Sequence, residues 1–495
     1  MTEDKAITSS GRVKKRGVED SEKEQLPLVS SSKRLDAVNS SNKNVQKQEG
    51  EEFEFEDPYG DDYDEEAGPS DTDYQQDEEE EEKPEEKSAT KIWVPGVVPM
   101  KPDEKLEYDP KCYEMLHSMM LDWSCLTFDI IPDSLGMNRS SYPHTAYIVA
   151  GTQADTSERN SVFVMKWSAL HKTNRDSTEE SDESDDEDNA SEEDAKLDFN
   201  AISHKGTVNR IRCCPQLTRL VATWSETGKV HIWDISEHLQ RLDSPKKFCS
   251  SKPPPLFTTH SHSTEGYAMD WNPLKTGRLL TGDCNANLFV WERIEGGWIV
   301  DSESPFLGHQ KSVEDVQWKR VGAGMGDVFA TACVDQALRV YDCRVTNRLP
   351  TQAIVAAHPS DINVLSWNPF KETLLLTGDD DGCCKVWDLR FPEMPVAKMH
   401  WHKEPISSVG WNPADEASFA CSSYDDSVTF WDLSVEGDND FEVATPHEDS
   451  PYPDQLMFHH MGQQQISELH WHSQIPGVVI TTSVDGFNIF KTCNI

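Results

Sequence analysis

A pattern of fixed spacings recurs between residues 204 and 431 of the 495-residue sequence. Counted back from Trp387, a His lies 29 residues earlier (His358) and a Trp lies 20 residues earlier (Trp367). An Asp lies six residues before the same Trp (Asp381). The segments between these positions are short apolar runs separated by Asn-Pro, Gly-Asp and Asp-Gly turns, which is typical of consecutive strands. Because one such unit cannot bury its own apolar face, its recurrence predicts an array of neighbouring sheets.

Four further units share these spacings with small departures. Their aromatic, His and inner Trp positions are Trp431, His402 and Trp411; Trp291, His262 and Trp271; Tyr341, His309 and Trp318; and Trp233 with His204, where Cys213 and Cys214 replace the inner Trp. Asp425 and Asp335 lie six residues before their aromatics, whereas Asn285 occupies that position in the unit that ends at Trp291. Two weaker units end at Trp167 and Phe490, so the aromatic positions number seven.

Trp-Asp or Tyr-Asp pairs end four of these units, and Gly308-His309 begins one, so the chain resembles the WD-repeat family. The resemblance implies an all-β, seven-bladed propeller whose four-stranded blades surround a central channel. In that family a His, a Ser or Thr, an Asp and a Trp form a buried hydrogen-bonded chain in each blade. The matching residues are His358, Thr377, Asp381 and Trp387; His402, Ser422, Asp425 and Trp431; and His309 with Asp335. A buried imidazole and carboxylate are costly unless they satisfy each other, so we expect a structural role for them.

The net charge of −43 is concentrated in two tracts. Residues 49–86 contain 21 acidic side chains and one Lys, and residues 176–194 contain 12 acidic side chains and no basic one. These tracts carry −20 and −12, which leaves −11 for the rest of the chain. Polyanions of this kind do not attract nucleic acid, so we expect no direct nucleic-acid binding and a strongly basic protein partner instead.

Composition also bounds the compartment. The 12 cysteines are scattered, and no Cys-x-x-Cys pair occurs. No apolar run approaches the roughly 18 residues that a membrane span needs, and no hydrophobic signal segment precedes residue 90. We therefore expect reduced thiols, no membrane contact and a location in the nucleus or cytosol.

Residues 1–90 have low hydrophobicity and are predicted to be a disordered acidic tail. The basic cluster Arg12-Val-Lys14-Lys15-Arg16 matches a nuclear-import signal, although such clusters also arise by chance in charged tails. Later in the tail, aromatic residues alternate with acids. This pattern either contacts a basic and apolar surface or is simply disordered sequence. The aromatic residues are Phe53, Phe55, Tyr59, Tyr63 and Tyr74.

Residues 91–123 are predicted to form an N-terminal segment with a helix at about 109–121, because Asp109-Pro110 fits a helix start. One apolar face of that helix would contain Tyr113, Leu116, Met119 and Met120. Residues 124–495 then form the propeller. The last unit ends at Phe490 with five residues left, so we expect the alternating segment 124–131 to supply its outer strand and close the ring.

Two insertions interrupt the repeats and are predicted to be mobile surface loops. The acidic loop 171–198 contains Ser181 and Ser184, which precede acids and match acid-directed phosphorylation. The acidic, Pro-containing loop 435–458 precedes the last unit. Together with the segment 109–131, this loop resembles the histone-binding WD proteins of chromatin-assembly complexes. The resemblance implies that the helix and the loop clamp a partner through Tyr113, Leu116, Met120, Glu448, Asp449 and Asp454.

Over about residues 90–495 the chain resembles most closely the glutamate-rich WD-repeat proteins of ribosome assembly. The matching motifs are Gly151-Thr-Gln-Ala154, Leu135-Gly-x-Asn138-Arg139, Leu469-His-Trp-His472 and Gly486-Phe-x-Ile-Phe490, with an acidic run before Trp93. The resemblance implies a monomeric, dedicated chaperone for a newly made basic ribosomal protein, the large-subunit protein numbered three. It further implies a role in large-subunit assembly in the nucleolus, with indirect contact to pre-ribosomal particles. The alternative is a histone-binding subunit of a chromatin-assembly complex.

No motif indicates an enzyme or a cofactor. The sequence contains no Gly-Lys-Ser/Thr phosphate loop and no recognisable nucleophile elbow. Paired histidines could ligate a metal, but no third ligand lies near them in sequence, and His402 already has a place in the repeat. The pairs are His400 with His402, His459 with His460, and His470 with His472. We therefore expect no catalytic, cofactor or metal site.

Overall fold

The short apolar runs form strands that pair into seven four-stranded antiparallel sheets. The computed structural model describes residues 109–173, 194–244, 249–301, 303–435 and 452–494. Each sheet is one blade, and the seven-bladed propeller that the repeats predict is confirmed. The tail 1–90, both predicted phosphorylation sites, Glu448 and Asp449 lie outside the described residues.

The strands are numbered in chain order, and β1 (Tyr113–Met119) precedes the first complete blade. Blade 1 contains β2 (Cys125–Ile130), β3 (His144–Thr152), β4 (Ser161–Leu170) and β5 (Lys196–Ser203). Blade 2 contains β6 (Val208–Cys213), β7 (Leu220–Ser225), β8 (Val230–Asp234) and β9 (Phe257–Thr258). Blade 3 contains β10 (Ala268–Trp271), β11 (Leu279–Gly282), β12 (Leu288–Ile294) and β13 (Gly297–Val300).

The remaining blades follow the same order. Blade 4 contains β14 (Val313–Trp318), β15 (Val328–Cys333), β16 (Leu338–Asp342) and β17 (Gln352–Ile354). Blade 5 contains β18 (Ile362–Trp367), β19 (Leu374–Asp379), β20 (Cys383–Asp388) and β21 (Ala397–His400). Blade 6 contains β22 (Ile406–Trp411), β23 (Ser418–Ser423), β24 (Ser427–Asp432) and β25 (Leu456–Met461). Blade 7 contains β26 (Glu468–Trp471), β27 (Val478–Ser483), β28 (Gly486–Thr492) and, as its fourth strand, β1.

The first strand of each complete blade contacts the first strand of the next, so these strands form the wall of the central channel. The ring closes where β1 pairs antiparallel with β28, with Leu116 opposite Phe490. This pairing covers the edge of β28, which would otherwise be open to other chains. The N-terminal part of the propeller thus closes the ring, but the prediction that residues 124–131 do so is wrong. Those residues contain β2, the innermost strand of blade 1.

The helix predicted at 109–121 is also wrong. Only Pro110–Cys112 forms a helical turn, of the 3-10 type, and the following seven residues are strand β1. The register of β1 against β28 shifts between Tyr113 and Met115, so a bulge interrupts the alternation. Tyr113 and Leu116 consequently pack into the same cluster although three residues separate them. The bulge therefore imitates the three-residue spacing of a helical face.

The core lies between neighbouring blades. At the seam between blades 7 and 1, the Phe487 ring lies 5.6 Å from that of Phe128 and 5.5 Å from that of Trp167, measured between centroids. On the other side of blade 7, Tyr113 packs edge-on against Phe490 at 6.0 Å. Burial of each such side chain contributes about 1.5–3 kcal/mol. Every blade therefore depends on both neighbours for the burial of its two faces.

A short helix that the repeats do not predict follows β8. This helix, α1 (Ser236–Asp243), buries Leu242 and His238, and the His238 carbonyl accepts a hydrogen bond from Asn200 Nδ2 at 2.9 Å. It thereby covers the outer strand of blade 1. Within the described ranges, no helix has the length and apolar character that crossing a bilayer requires.

Candidate interaction surface

Blade 5 contains a hydrogen-bonded chain that links its His to its Trp. His358 Nδ1 lies 2.7 Å from Asp379 Oδ2, and its Nε2 lies 2.7 Å from Thr377 Oγ1. Trp387 Nε1 donates to the same Thr377 oxygen at 3.0 Å. The carboxylate is Asp379, so the assignment of Asp381 to this chain is wrong. Asp381 is exposed, and its backbone N–H donates to Asp379 Oδ1.

Blade 6 takes its hydroxyl group from a different strand. His402 Nδ1 lies 3.0 Å from Asp425 Oδ2, and its Nε2 lies 2.8 Å from Thr429 Oγ1. Trp431 Nε1 also donates to Thr429 Oγ1, at 2.8 Å. The assignment of Ser422 is therefore wrong, since its hydroxyl lies 3.0 Å from Ser407 Oγ instead. The hydroxyl comes from the third strand of the blade, whereas in blade 5 it comes from the second.

Blades 3 and 4 complete this set of networks. In blade 4, His309 Nδ1 lies 3.1 Å from Asp335 Oδ2, and Arg339 pairs with the same carboxylate at 2.7 Å. In blade 3, His262 Nδ1 lies 2.9 Å from Asp283 Oδ2, so this blade has an Asp although Asn285 stands at the expected position. The Asp thus lies six or eight residues before the aromatic. A shift of two residues keeps a side chain on the same face of a strand, which lets both spacings work.

These networks are structural, because their groups satisfy one another. Burial lowers the pKa of His358, and the hydrogen bond to Asp379 partly opposes that shift. Burial alone would raise the pKa of Asp379, but the hydrogen bond from His358 lowers it overall. In the described chain, two sets of three donor atoms lie close enough to hold a metal ion: His309, Cys333 and Asp335, and His358, Asp379 and Cys383. In both sets the His already uses both ring nitrogens in hydrogen bonds.

Polar side chains on the inner strands join neighbouring blades. Asp129 Oδ2 in blade 1 accepts the backbone N–H of Cys213 in blade 2 at 2.7 Å. Equivalent bonds run from Ile211 to Thr127, Trp318 to Asp270, Leu365 to Asp315, Trp367 to Gln317 and Phe128 to Glu468. The last of these crosses the seam between blades 7 and 1. Buried backbone groups need such partners, so these acids hold the ring together.

A buried ion cluster occupies part of the channel. Glu468 Oε1 lies 2.9 Å from Arg210 Nη1 and 2.6 Å from Arg212 Nη2. Burial would raise the pKa of Glu468, but the charge of Arg212 lowers it well below its usual range. The carboxylate therefore stays ionised. A cavity of about 340 Å³ in the channel is lined by this cluster and by the inner-strand acids.

A further group of acids gathers where the inner strands of blades 4 and 5 begin. Glu314 lies in β14, Asp361 immediately precedes β18, and Asp380 follows β19. The Asp380 backbone N–H donates to the Asp361 carbonyl at 3.0 Å, which brings their two loops together. Burial raises the pKa of Glu314, and the negative charges of Asp361 and Asp380 add to the increase. These carboxylates therefore repel one another.

Glu265 and two tyrosines extend this group. Glu265 precedes β10 and accepts a hydrogen bond from Asn209 Nδ2 at 3.1 Å. Burial raises the pKa of Tyr267 to about 12, with contributions from the charges of Glu265 and Glu314. Tyr424 is 45% exposed, and its pKa is raised by burial and by neighbouring acids that include Asp380. Together, Glu265, Tyr267, Glu314, Asp361, Asp380 and Tyr424 form a surface that we call the acidic mouth.

The acidic mouth is suited to a cationic side chain. Its carboxylates share one end of the channel and destabilise one another, so an Arg or Lys placed among them relieves repulsion and accepts no competing partner. Tyrosine rings beside such a site add a cation–π contact. Sequence reasoning missed this surface because its members belong to separate repeats. A signal was nevertheless present, since Glu265 and Asp361 each lie six residues before an inner-strand Trp.

The residues predicted to clamp a partner do not form one surface. Tyr113 is buried, and its hydroxyl lies 2.7 Å from His460 Nδ1. Leu116 is half-buried in the same cluster, whereas Met120 is 76% exposed. Tyr113 and Met120 lie at opposite ends of β1, about 20 Å apart for a seven-residue strand. Asp454 is exposed just before β25, near the Tyr113 end, where Asn494 Nδ2 donates to the Met457 carbonyl.

Two family descriptions match parts of the chain. Residues 103–171 match the family described as "Histone-binding protein RBBP4", which includes the corresponding component of the CAF1 complex. Residues 350–388 and 393–432 match "WD domain, G-beta repeat". Among solved structures, the WD40 beta propeller domain of Doa1 has a TM-score of 0.51 and 14% sequence identity, and the match covers 77% of this chain and 96% of that one. A likeness at this identity concerns the fold alone.

Relatives match over most of their length. Ribosome assembly protein rrb1 from Schizosaccharomyces pombe is 42% identical over 456 residues, covering 89% of this chain and 92% of that protein. Glutamate-rich WD repeat-containing protein 1 from Dictyostelium discoideum is 43% identical over 423 residues, covering 83% and 86%. Protein HEAT STRESS TOLERANT DWD 1 from Arabidopsis thaliana is 39% identical over 440 residues, covering 82% and 92%. The chain therefore belongs to the family of glutamate-rich WD-repeat proteins that these relatives represent.

Proposed function

We propose that this protein is a non-enzymatic ribosome assembly factor that binds a newly made basic protein of the large ribosomal subunit, the one numbered three. It holds that client until assembly of the subunit in the nucleolus. The name of the Schizosaccharomyces pombe relative supports a role in ribosome assembly. The observation that carries the choice of a basic client is the acidic mouth, where Glu314 lies among the like charges of Asp361 and Asp380.

The proposed mechanism is neutralisation of charge away from RNA. A ribosomal protein outside the ribosome exposes Arg and Lys side chains that RNA phosphates would otherwise cover. Hydrogen bonds between such cations and carboxylates are stronger than neutral ones, and the Asp380 and Glu314 carboxylates lie at the open end of the channel. The tracts 49–86 and 176–194 would raise the rate of encounter through long-range attraction.

The nuclear location is part of the same proposal. The basic cluster Arg12-Val-Lys14-Lys15-Arg16 supplies a candidate import signal. A chaperone that takes up its client in the cytoplasm and releases it in the nucleolus would need such a signal. Replacing Lys14, Lys15 and Arg16 by Ala should shift a fluorescently tagged chain from the nucleus to the cytoplasm, and an unchanged distribution would contradict this part of the proposal.

A direct test compares three basic proteins in binding to the purified full-length chain. They are the large-subunit protein numbered three, the histone H3–H4 pair, and polylysine of similar charge. We expect a one-to-one complex with the ribosomal protein, at least about tenfold tighter than with the other two, or about 1.4 kcal/mol. Equal affinity for polylysine would mean that the acids act as a nonspecific polyanion and would contradict the proposal.

A histone-binding function is the second candidate. The observation that favours it is the match of residues 103–171 to a family described by histone binding. In the same assay, tighter binding of the H3–H4 pair than of the ribosomal protein would support this candidate over the first. Recovery of the stoichiometric partner from growing cells provides an independent check, because it does not depend on the choice of purified proteins.

A further inference from the structure

Two exposed thiols lie at the end of the strand pair that closes the ring. All 12 cysteines are free and belong to the described residues, and Cys112 and Cys493 alone among them are exposed. Cys112 directly precedes β1, and Cys493 directly follows β28. These are the two strands that come from opposite ends of the propeller sequence.

The register places the two thiols opposite each other. Tyr113 pairs with Thr492, and one residue further out the Cys493 backbone N–H donates to the Cys112 carbonyl at 3.1 Å. Residues opposite each other in an antiparallel pair have Cα atoms about 4.5–5.5 Å apart. A disulfide needs about 4.4–6.8 Å, so the backbone already has a suitable spacing.

The side chains also share one face. Tyr113 and Thr492 are both buried, so the adjacent pair, Cys112 and Cys493, projects from the other face of the sheet into solvent. The Cys493 thiol donates to the Lys111 carbonyl at 3.1 Å, which holds it beside the residue that precedes Cys112. Burial, Asp109 and the nearby Cys493 raise the pKa of Cys112, which agrees with two thiols in close proximity.

A buried pair provides the contrast. Cys384 Sγ and Cys421 Sγ lie 2.9 Å apart between blades 5 and 6, but both residues are buried. Burial raises the pKa of Cys384 well above its usual value, so this pair has neither solvent access nor thiolate character. Proximity alone therefore does not distinguish Cys112 and Cys493. Proximity combined with exposure does.

We propose that Cys112 and Cys493 are a redox modification site that forms a disulfide across the ring closure when the protein meets hydrogen peroxide. One thiol attacks the peroxide, which breaks the O–O bond and gives a sulfenic acid and one water. The second thiol then attacks the sulfenic sulfur, which forms the S–S bond and releases a second water. Two thiols lose two electrons in total, and one peroxide gains them. A dithiol reductant reverses the bond by exchange.

The disulfide would change the strength of the closure. The pairing of β1 with β28 joins segments far apart in sequence, so a covalent link there encloses almost the whole propeller. Links that close long loops restrict the unfolded chain most. We therefore expect oxidation to make the ring more resistant to opening at the seam, while the acidic mouth on blades 3–6 remains accessible.

The test treats the purified full-length chain with hydrogen peroxide and identifies disulfide-linked peptides by mass spectrometry without reduction. We expect a peptide that joins Cys112 to Cys493, and a melting temperature that rises by about 5 °C and returns on addition of dithiothreitol. Cys112→Ser and Cys493→Ser should each abolish both effects. Cys343→Ser, which removes a half-buried thiol, should leave both unchanged.

Because Cys112 and Cys493 are exposed, both Ser variants should melt like the parent chain before oxidation, which shows that they fold. Absence of the Cys112–Cys493 peptide overturns the proposal. So does a rise in melting temperature that persists in Cys112→Ser, because it would arise from another bond.

Discussion

Blades 3 to 5 and the seam between blades 7 and 1 are stabilised differently. Each of blades 3 to 5 is one continuous stretch of sequence, with a buried His–Asp pair beneath its aromatic residue. The seam joins β1 to β28 from opposite ends of the propeller sequence. At the described His position of blade 7 stands Gln463, which hydrogen-bonds to Thr481 and Ser483.

The difference separates stability from recognition. The seam depends on long-range pairing and on buried aromatic residues such as Phe487, so damage there should open the whole ring. Blades 3 to 5 carry most of the acidic mouth on loops outside their buried networks. Substitutions in those loops should therefore alter binding while leaving the fold intact. Each prediction below tests one side of this separation.

Removal of β1 should have the largest effect. A chain that begins at residue 123 lacks β1 and exposes the edge of β28 together with Phe490, so it should aggregate or unfold. A chain that begins at residue 109 loses the tail but retains β1, and it should melt as a folded monomer. Size-exclusion chromatography and circular dichroism distinguish the two. A stable monomer beginning at residue 123 would show that β1 does not close the ring.

Asp379→Ala should cost about 3 kcal/mol of unfolding free energy, because it leaves His358 buried without its partner. Asp381→Ala should change that free energy by less than about 0.5 kcal/mol, because Asp381 is exposed. Urea denaturation of both variants measures the difference. The opposite ranking would restore Asp381 to the network. Neither variant should weaken client binding once folded.

Acid should weaken the seam through His460. Burial lowers its pKa to about 3, whereas an unfolded His titrates near about 6.5. Because the folded pKa is the lower one, the stabilisation is complete above pH 6.5 and is lost as pH falls from there toward 3. Between pH 7 and pH 5 the loss should be about 2 kcal/mol.

His460→Gln isolates this contribution. The variant removes the titrating group at the Tyr113 contact, so its unfolding free energy should fall by about 2 kcal/mol less than that of the parent between pH 7 and pH 5. The neighbouring His459, whose pKa burial lowers to about 4, remains in both chains and serves as an internal reference. Identical pH dependence in parent and variant would exclude His460 as a source of acid sensitivity.

The acidic tracts should have the smallest effect. Deletion of residues 49–86 and 176–194 should slow association with the client about threefold to tenfold and flatten its dependence on salt, because steering by exposed charge is screened. The dissociation rate should stay nearly constant. Stopped-flow measurements at two ionic strengths provide both rates. A tenfold faster dissociation with unchanged association would make the tracts part of the binding site.

The repeats predicted the architecture because each blade repeats the same chemistry at nearly fixed spacing. His358, Thr377 and Trp387 lie at regular positions on strands, whereas the partner Asp lies in a turn whose length varies between blades. Counting six residues back from Trp387 therefore selected Asp381 instead of Asp379. The error concerns a turn, which is the part of a repeat where insertions cost least.

The closing strand was misassigned for a different physical reason. Its bulge placed Tyr113 and Leu116 on one side at a helical spacing, so β1 resembled a helix. The segment 124–131 then became the nearest strand available for closure. The acidic mouth was not predicted at all, because Glu265, Glu314 and Asp380 become neighbours only when the blades form a ring. Single-sequence patterns describe each blade, but not contacts between blades.

The most direct test of the account compares two charge-neutralised variants in binding to the large-subunit protein numbered three. The first carries Glu314→Gln, Asp361→Asn and Asp380→Asn in the acidic mouth. The control carries Glu237→Gln, Glu295→Gln and Glu393→Gln, three exposed residues that follow the third strands of blades 2, 3 and 5 at the opposite end of the ring. Both variants change the net charge equally.

Titration calorimetry supplies the affinity, and a melting curve confirms the fold of each variant. The account predicts that the mouth variant binds at least about tenfold more weakly than the parent, about 1.4 kcal/mol, at an unchanged or slightly higher melting temperature. The control should bind like the parent. Parent-like binding by the mouth variant, or an equal loss in the control, would contradict the assignment of the acidic mouth as the client site.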